Sequence, residues 1–180
     1  MAIGPRLDTE RIYLRPLSKA DVTQRYVEWL ADTLVNRFLE TRHELQTLEG
    51  TARFVAAKNA SADEYLFGIF LKDGDRHVGN IKVGPARAAH KLGEISLFVG
   101  DRSVWGQGIA TEAIRAASAF AFSGVGLRKL VATMYAGNLG SVSAFLRAGY
   151  KEEAVLTSHY LIDGKPSDLR VLARYADGAP

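Results

Sequence analysis

Cysteine is missing from all 180 residues, which removes disulfides, thiolate nucleophiles and Cys-based zinc sites and suits a reducing compartment. Histidine is scarce, and His43, His77, His90 and His159 lie too far apart to read as metal ligands, so no metal site is expected. No uncharged apolar run approaches the roughly 18 residues of a membrane span. The opening "MAIGPRLDTERIYLRP" carries charges where a secretory signal needs an apolar stretch. A cytoplasmic protein with no membrane partner is expected. Charge of one sign is lacking too: 23 Lys and Arg face 20 Asp and Glu, and the net +3 is spread along the chain. No basic cluster marks a nucleic-acid surface. Repeats, low-complexity tracts and linkers are also missing, so residues 1–180 read as a single domain. With 47% hydrophobic and 24% charged residues, such a chain can bury a core of its own.

What is present is an alternation of strand and helix patterns. "ERIYLRPL" alternates as a strand that Pro16 closes. Ser18 then caps a helix through "KADVTQRYVEWLAD", where Val22, Tyr26 and Leu30 recur at four-residue steps. "TLVNRFLE" continues as a short helix or turn, and "LEGTARFVAAKNA" reads as a helix with Phe54 and Ala57 on one side. Strands follow at "EYLFGIFLK", "RHVGNIKVG" and, after the loop "PARAAHK", "KLGEISLFVG". A long alanine-rich helix carries Ile109, Ala113, Ala117 and Phe120 as its apolar stripe. "LRKLVATMYA" is a buried strand. "NLGSVSAFLRAG" is a short helix capped by Asn138, with Leu139, Val142 and Leu146 expected inward and Gly149 at its end. Two last strands flank "DGKP", a hairpin signal. The order predicts one mixed α/β sheet.

The stretch "WGQGIATEA" places Gly106 and Gly108 at the front of the long helix, with Ala110 behind them. One reading is structural: a strand turning sharply into a helix needs the backbone freedom of glycine. The other is anion binding, because the first helical turn leaves N–H groups unpaired at the positive end of the helix dipole. Neither common nucleotide motif fits. No G-x-x-x-x-G-K-[ST] is present, Thr111 stands where a dinucleotide fingerprint wants Gly or Ala, and Arg128, Lys129 and Leu130 stand where it wants an acid.

The chain resembles the GNAT N-acetyltransferases, which use acetyl-CoA. "WGQGIA" is similar to their [Q/R]-x-x-G-x-[G/A] signature, with Trp105 in place of Gln or Arg, a form common among ribosomal-protein N-terminal acetyltransferases. "NLGSVSAFLRAGY" resembles that branch's N-x-x-S-x-x-[AV]-x-x-K-x-G-F, and "DGKPSDLRVLARY" its DG-x-x-x-D ending. "LDTERIYLRPLSKAD" has the branch's typical opening. "YVEWLADTLVNRFLE" and "VGNIKVGPARAAHKLGEISLFVG" also look like nucleotide-amino-sugar acetyltransferases.

The resemblance implies an α/β fold: a single mixed, mostly antiparallel sheet splayed in the middle, with helices on both faces. It implies that Leu97, Phe98 and Val99 touch the pantetheine arm through main chain. Trp105, Gly106, Gln107, Gly108, Ile109, Ala110 and Thr111 would hold the pyrophosphate, and Asn138 the pantetheine amide. Main-chain N–H groups at the end of "EISLFVG" would stabilise the negative charge that develops as an amine attacks the thioester. The tyrosine that many relatives use to protonate the leaving thiolate is Phe145 here, and Ser141 is the corresponding hydroxyl. Glu94 is the candidate base, with a modest task because an α-amino group titrates near 7.7–8.0. The acceptor is a nucleotide-linked amino sugar or a protein N-terminal α-amine. Arg42, His43, Lys82, Arg87 and His90 tilt the choice toward the sugar if they line its mouth. A non-catalytic acyl-CoA-binding or regulatory module is the alternative. A homodimer is also expected, with "LTSHYLI" as a pairing edge.

Overall fold

A computed structural model describes residues 4–178. Eight strands form one sheet: β1 (Leu7–Asp8), β2 (Ile12–Pro16), β3 (Tyr65–Leu71), β4 (Arg76–Arg87), β5 (Leu92–Val99), β6 (Lys129–Tyr135), β7 (Lys151–Ile162) and β8 (Lys165–Tyr175). Their order is β1-β2-β3-β4-β5-β6-β8-β7, and every neighbouring pair is antiparallel except β5 with β6. That pair meets only at Leu92, Gly93 and Glu94, opposite Lys129, Leu130 and Val131. Beyond Glu94 the two strands part, which is the central splay. Among the described residues are five α-helices, α1 (Gln24–Ala31), α2 (Thr33–Asn36), α3 (Leu48–Ala60), α4 (Ile109–Ser123) and α5 (Leu139–Arg147), with short 3-10 turns between elements.

The strand alternation sends side chains to two cores. Ile12, Leu14, Phe67, Ile69, Val78, Ile81 and Ile95 face Ile109, Ala113, Ile114 and Ala117 of α4, and Val142 and Phe145 of α5 join them. Tyr13, Leu66 and Phe70 point the other way, toward Tyr26, Trp29 and Leu30 of α1 and Val55 of α3. Helices therefore cover both faces. On β4 and β5 the same alternation leaves Asn80, Lys82, Ser96 and Phe98 facing the α1–α3 side.

Three local expectations are corrected. Ser18 caps only a 3-10 turn at Lys19–Asp21, because the Asp21 carboxylate takes the Ser18 N–H at 2.6 Å and closes the turn. Helix α1 starts later, with Thr23 accepting from the Tyr26 N–H. "PARAAHK" is not all loop: β4 runs on to Arg87, and Ala86 pairs with Gly93. Leu139 is 71% exposed and Leu146 is also exposed. The inward stripe of the short α5 is Val142, Ala144 and Phe145. On α3, Phe54 and Ala57 do share one side, and it is the outward one, while Thr51 and Val55 are buried.

Candidate functional site

The site begins where β5 ends. A 3-10 turn at Arg102–Val104 leads into Gly106 and Gly108, whose φ angles are +75° and +81°. Side chains rarely adopt such angles. A Cβ at Gly106 would meet nothing within 4 Å, and one at Gly108 would meet only the Arg11 guanidinium, at 3.4 Å. Backbone conformation, not crowding by the protein, requires the glycines, and the space above them is open. No protein acceptor among the described residues pairs with the N–H groups of Gly106, Gly108, Ile109, Ala110 or Thr111, because the first helical bond runs from the Glu112 N–H to the Gly108 carbonyl. These five amides and the positive helix end suit a diphosphate.

The remaining residues of the loop hold its shape. Gln107 donates its side-chain N–H to the Ser103 carbonyl at 2.9 Å, while its own carbonyl accepts from Arg11 at 2.7 Å. Glu112 ties the helix to the first strands, accepting from the Thr9 hydroxyl at 2.6 Å and from the Arg11 N–H at 2.8 Å. Burial opposes ionisation of Glu112, but Thr9 and Arg11 outweigh it and hold the carboxyl below its ordinary range. Trp105 donates its indole N–H to the Val99 carbonyl at 2.8 Å and so ties the loop to β5. Thr111 is buried and sits 3.4 Å from the Ala144 carbonyl, which joins α4 to α5.

At the front of α5 the Asn138 side chain accepts the Ser141 N–H at 3.2 Å. This satisfies the helix end and leaves the Ser141 hydroxyl without a protein partner among the described residues. Leu97 and Val99 face the α4 core, whereas Phe98 lies 6.0 Å from Tyr26 on the other side. Glu94 stands lower on β5, more than half exposed, with its carboxylate 4.0 Å from Arg87.

A cavity of about 320 Å³ opens beside Ser96, Leu97 and Phe98. Its walls come from α1, the segment before α3, α3 itself and β3–β5, and include Phe54, which explains that residue's outward turn. Sequence reasoning missed most of this cavity. Of the five cations proposed for its mouth, only Lys82 lines it, and its ammonium is 2.6 Å from Glu64. Arg42 instead donates to the Tyr135 hydroxyl at 2.9 Å, and His43, Arg87 and His90 do not line the cavity. Glu40 and Glu44 do. The cations expected at the mouth are therefore mostly elsewhere: Arg42 stands 3.4 Å from Glu40, and Glu44 is a lining carboxylate with no basic partner among the described residues. Glu40 also accepts from the Tyr135 hydroxyl at 2.5 Å, linking the cavity to the end of β6 just before Asn138. Burial, then the Glu40 carboxylate, pushes the Tyr135 phenol up.

Asn80 is the buried polar residue of this wall. Its Oδ1 lies 2.8 Å from His77 Nε2, which is also 3.0 Å from the Gly79 carbonyl. A carbonyl only accepts, so Nε2 carries the proton. Burial among Tyr26, Trp29 and Phe70 pushes the His77 pKa down, so the ring is neutral at pH 7.

Residues 11–151 match the family model described as "Acetyltransferase (GNAT) domain". The curated Bacillus subtilis protein "Probable N-acetyltransferase YjcK" is 29% identical over 173 residues, covering 93% of this chain and 95% of that one. Among solved structures, a GNAT-family acetyltransferase of Bacillus anthracis superposes with a TM-score of 0.82 at 20% identity, covering 95% and 98% of the two chains. The ribosomal L7/L12 α-N-protein acetyltransferase RimL, solved with coenzyme A, gives 0.83 at 18% identity, covering 96% and 99%. Spermidine N-acetyltransferase of Vibrio cholerae, solved with CoA and spermine, gives 0.80 at 16% identity, covering 92% and 95%. At these identities the solved structures share the fold.

Proposed function

As a member of the GNAT acetyltransferase family, this chain is an acyltransferase, and we propose that it moves acetyl from acetyl-CoA to the α-amine of a peptide or amino-acid acceptor by direct attack in a ternary complex. The observation that carries the reading is the meeting of two features. The end of β5 beyond Glu94, free of β6, is tied through Val99 to the loop that carries the five open amides, and the cavity with Glu40 and Glu44 opens onto Ser96, Leu97 and Phe98 of the same strand. The donor's thioester supplies the acetyl group. The amides of Gly106, Gly108, Ile109, Ala110 and Thr111 would hold its diphosphate, and the main chain of Leu97, Phe98 and Val99 its pantetheine arm, with Asn138 beside it.

Holding both reactants in one cleft accounts for much of the acceleration. The cavity's carboxylates draw in an ammonium, and Glu94, through water, takes the proton that the amine loses. Ser141 returns a proton from its hydroxyl to the leaving thiolate and regains one from solvent. An amino-sugar nucleotide is disfavoured because its diphosphate would meet Glu44, which has no basic partner among the described residues, with Arg42 engaged by Glu40 and Tyr135 and Lys82 by Glu64. A homodimer is a further proposal. It rests on the outer position of β7 and the exposure of Tyr160 and Leu161, and sedimentation of the purified chain tests it.

The main experiment measures acetyl-CoA binding by calorimetry and free thiol release with N-terminal peptides, polyamines and a nucleotide-linked amino sugar. Micromolar binding with peptide-stimulated release is expected. Binding without release by any amine sinks the transfer reading.

A further inference from the structure

Three buried side-chain atoms among the described residues have no hydrogen-bond partner: Thr41 Oγ1, Thr51 Oγ1 and Asn80 Nδ2. All three belong to the one cavity, whose lining is 19 of the 180 residues. Leaving a buried donor unpaired is costly, so orphans gathered in a single cavity mark the place where something else supplies the partner. Asn80 is 3% exposed and Thr51 is 5% exposed.

The chemistry of that partner follows from His77. Its Nε2–H engages Oδ1 of Asn80, so the end of the amide left without a partner is its NH₂ group, a pure donor. The Tyr26 hydroxyl stands nearby, and this contact offsets part of the burial that pushes the phenol up to about 12. The two still fall short of hydrogen-bond geometry. The missing group is therefore an acceptor, and beside the Glu44 carboxylate it is a neutral oxygen. Asn80 lies directly across from Phe98 in the β4–β5 ladder, one strand spacing of about 4.8 Å from the strand that flanks the cleft. In an α-amine the carbonyl oxygen sits about 3 Å from the nitrogen. A hydrogen bond adds about 3 Å, so an amine whose neighbouring oxygen is held by Asn80 has its nitrogen within about 6 Å of that side chain.

The geometry points to Asn80, with Thr51 beside it, as the residues that read an oxygen next to the reacting nitrogen. Acceptors are then α-amines with an adjacent carbonyl, such as peptide N-termini and amino-acid amides, and not oxygen-free alkylamines or polyamines. This inference rests on the acetyl-transfer reading for its chemistry but has a readout of its own.

Thiol release is compared for L-alaninamide, the oxygen-free sec-butylamine and D-glucosamine, with the wild type, Asn80→Leu and Thr51→Val. The ratio of kcat/KM values, not any single rate, is the result. The wild type is expected to prefer alaninamide over sec-butylamine by roughly tenfold to a hundredfold. In Asn80→Leu the preference falls below about threefold, with Thr51→Val intermediate. Unchanged acetyl-CoA affinity shows that each variant is folded, and the isosteric Thr51→Val serves if loss of the His77 partner unfolds Asn80→Leu. A wild-type ratio near one, or a preference that survives in both variants, overturns the inference. So does an Asn80-dependent preference for glucosamine, which would assign the oxygen to a sugar hydroxyl. Independently, the Asn80 side-chain NH₂ resonances of the CoA-saturated protein are followed by NMR. They should move with alaninamide and stay still with sec-butylamine. A shift without turnover sinks only the transferase reading, and no shift with alaninamide overturns this one.

Discussion

Ser141 and Gly108 make separable contributions at the scale of single residues. With Asn138 capping α5, the Ser141 hydroxyl has no structural task among the described residues. Ser141→Ala should therefore leave the melting temperature and acetyl-CoA affinity nearly unchanged while lowering kcat about a hundredfold, the lower range for a lost proton donor. Stopped-flow thiol release with parallel calorimetry measures both, and an unchanged kcat removes Ser141 from the mechanism. Gly108→Ala acts on binding. The added methyl finds room, with Arg11 3.4 Å away, but a side chain at φ +81° costs about 1 kcal/mol. Relief of that strain would turn the amides of residues 108–111 out of line. CoA affinity is expected to fall at least about tenfold, the loss of roughly one charge-assisted hydrogen bond, with only a small drop in stability. Equal CoA affinity in the variant would disconnect the glycine pair from the diphosphate.

Among the elements, the turn after β5 depends on Asp101, a buried carboxylate that gathers three parts of the chain. It accepts from the Ser103 N–H at 3.0 Å as the cap of the 3-10 turn, from Arg25 of α1 at 2.7 Å and from Arg76 of β4 at 2.8 Å. Burial opposes its ionisation, but Ser103 and then the two guanidiniums hold the carboxyl below its usual range. Asp101→Ala removes a cap and charge-assisted bonds, and a loss of about 2 kcal/mol is expected. Urea unfolding with an unchanged slope would show it. Other local elements were legible because their signals lie within a few residues. The alanine-rich stripe of α4, the glycine pair and the Asn138 cap each need only neighbours in the chain. The acceptor cavity was not legible, because Tyr26, Glu40, Thr51, Asn80 and Phe98 come from five segments that only the sheet brings together. Charge misled for the same reason. Lys82 and Glu64 are 18 residues apart, and Arg42 and Tyr135 are 93 apart, so the sequence does not display their pairing. Asn80 gives no clue of its own, because β4 also carries His77 and Lys82 and the pattern does not show which polar residue is buried.

Carboxylates held below their usual range tie both neighbouring and distant segments together, and acid should loosen the molecule in a defined order. His77 responds first. Burial depresses its folded pKa, so below about 6.5 the unfolded chain binds the extra proton more readily, and stability begins to fall there. Asp21, Asp101, Glu64 and Glu112 follow. Each is depressed in the fold, so each contributes fully above the unfolded carboxylate range near pH 4 and loses its contribution as pH drops through the folded value. Asp21 is the clearest case. Burial opposes its charge, yet Arg15 at 2.7 Å and the Ser18 hydroxyl and N–H bring its pKa down to about 2. Its side chain is only 11% exposed, so solvent screening removes little, and the shift is worth about 2 kcal/mol at neutral pH. Denaturant midpoints measured from pH 8 to pH 2 should show a shallow decline below 6.5 and a steep one below 4. Asp21→Asn should start lower and lose about 2 kcal/mol less across the steep part, because the charge it would have given up is already gone. Parallel curves for wild type and variant would show that Arg15 and Ser18 do not hold that carboxylate in solution.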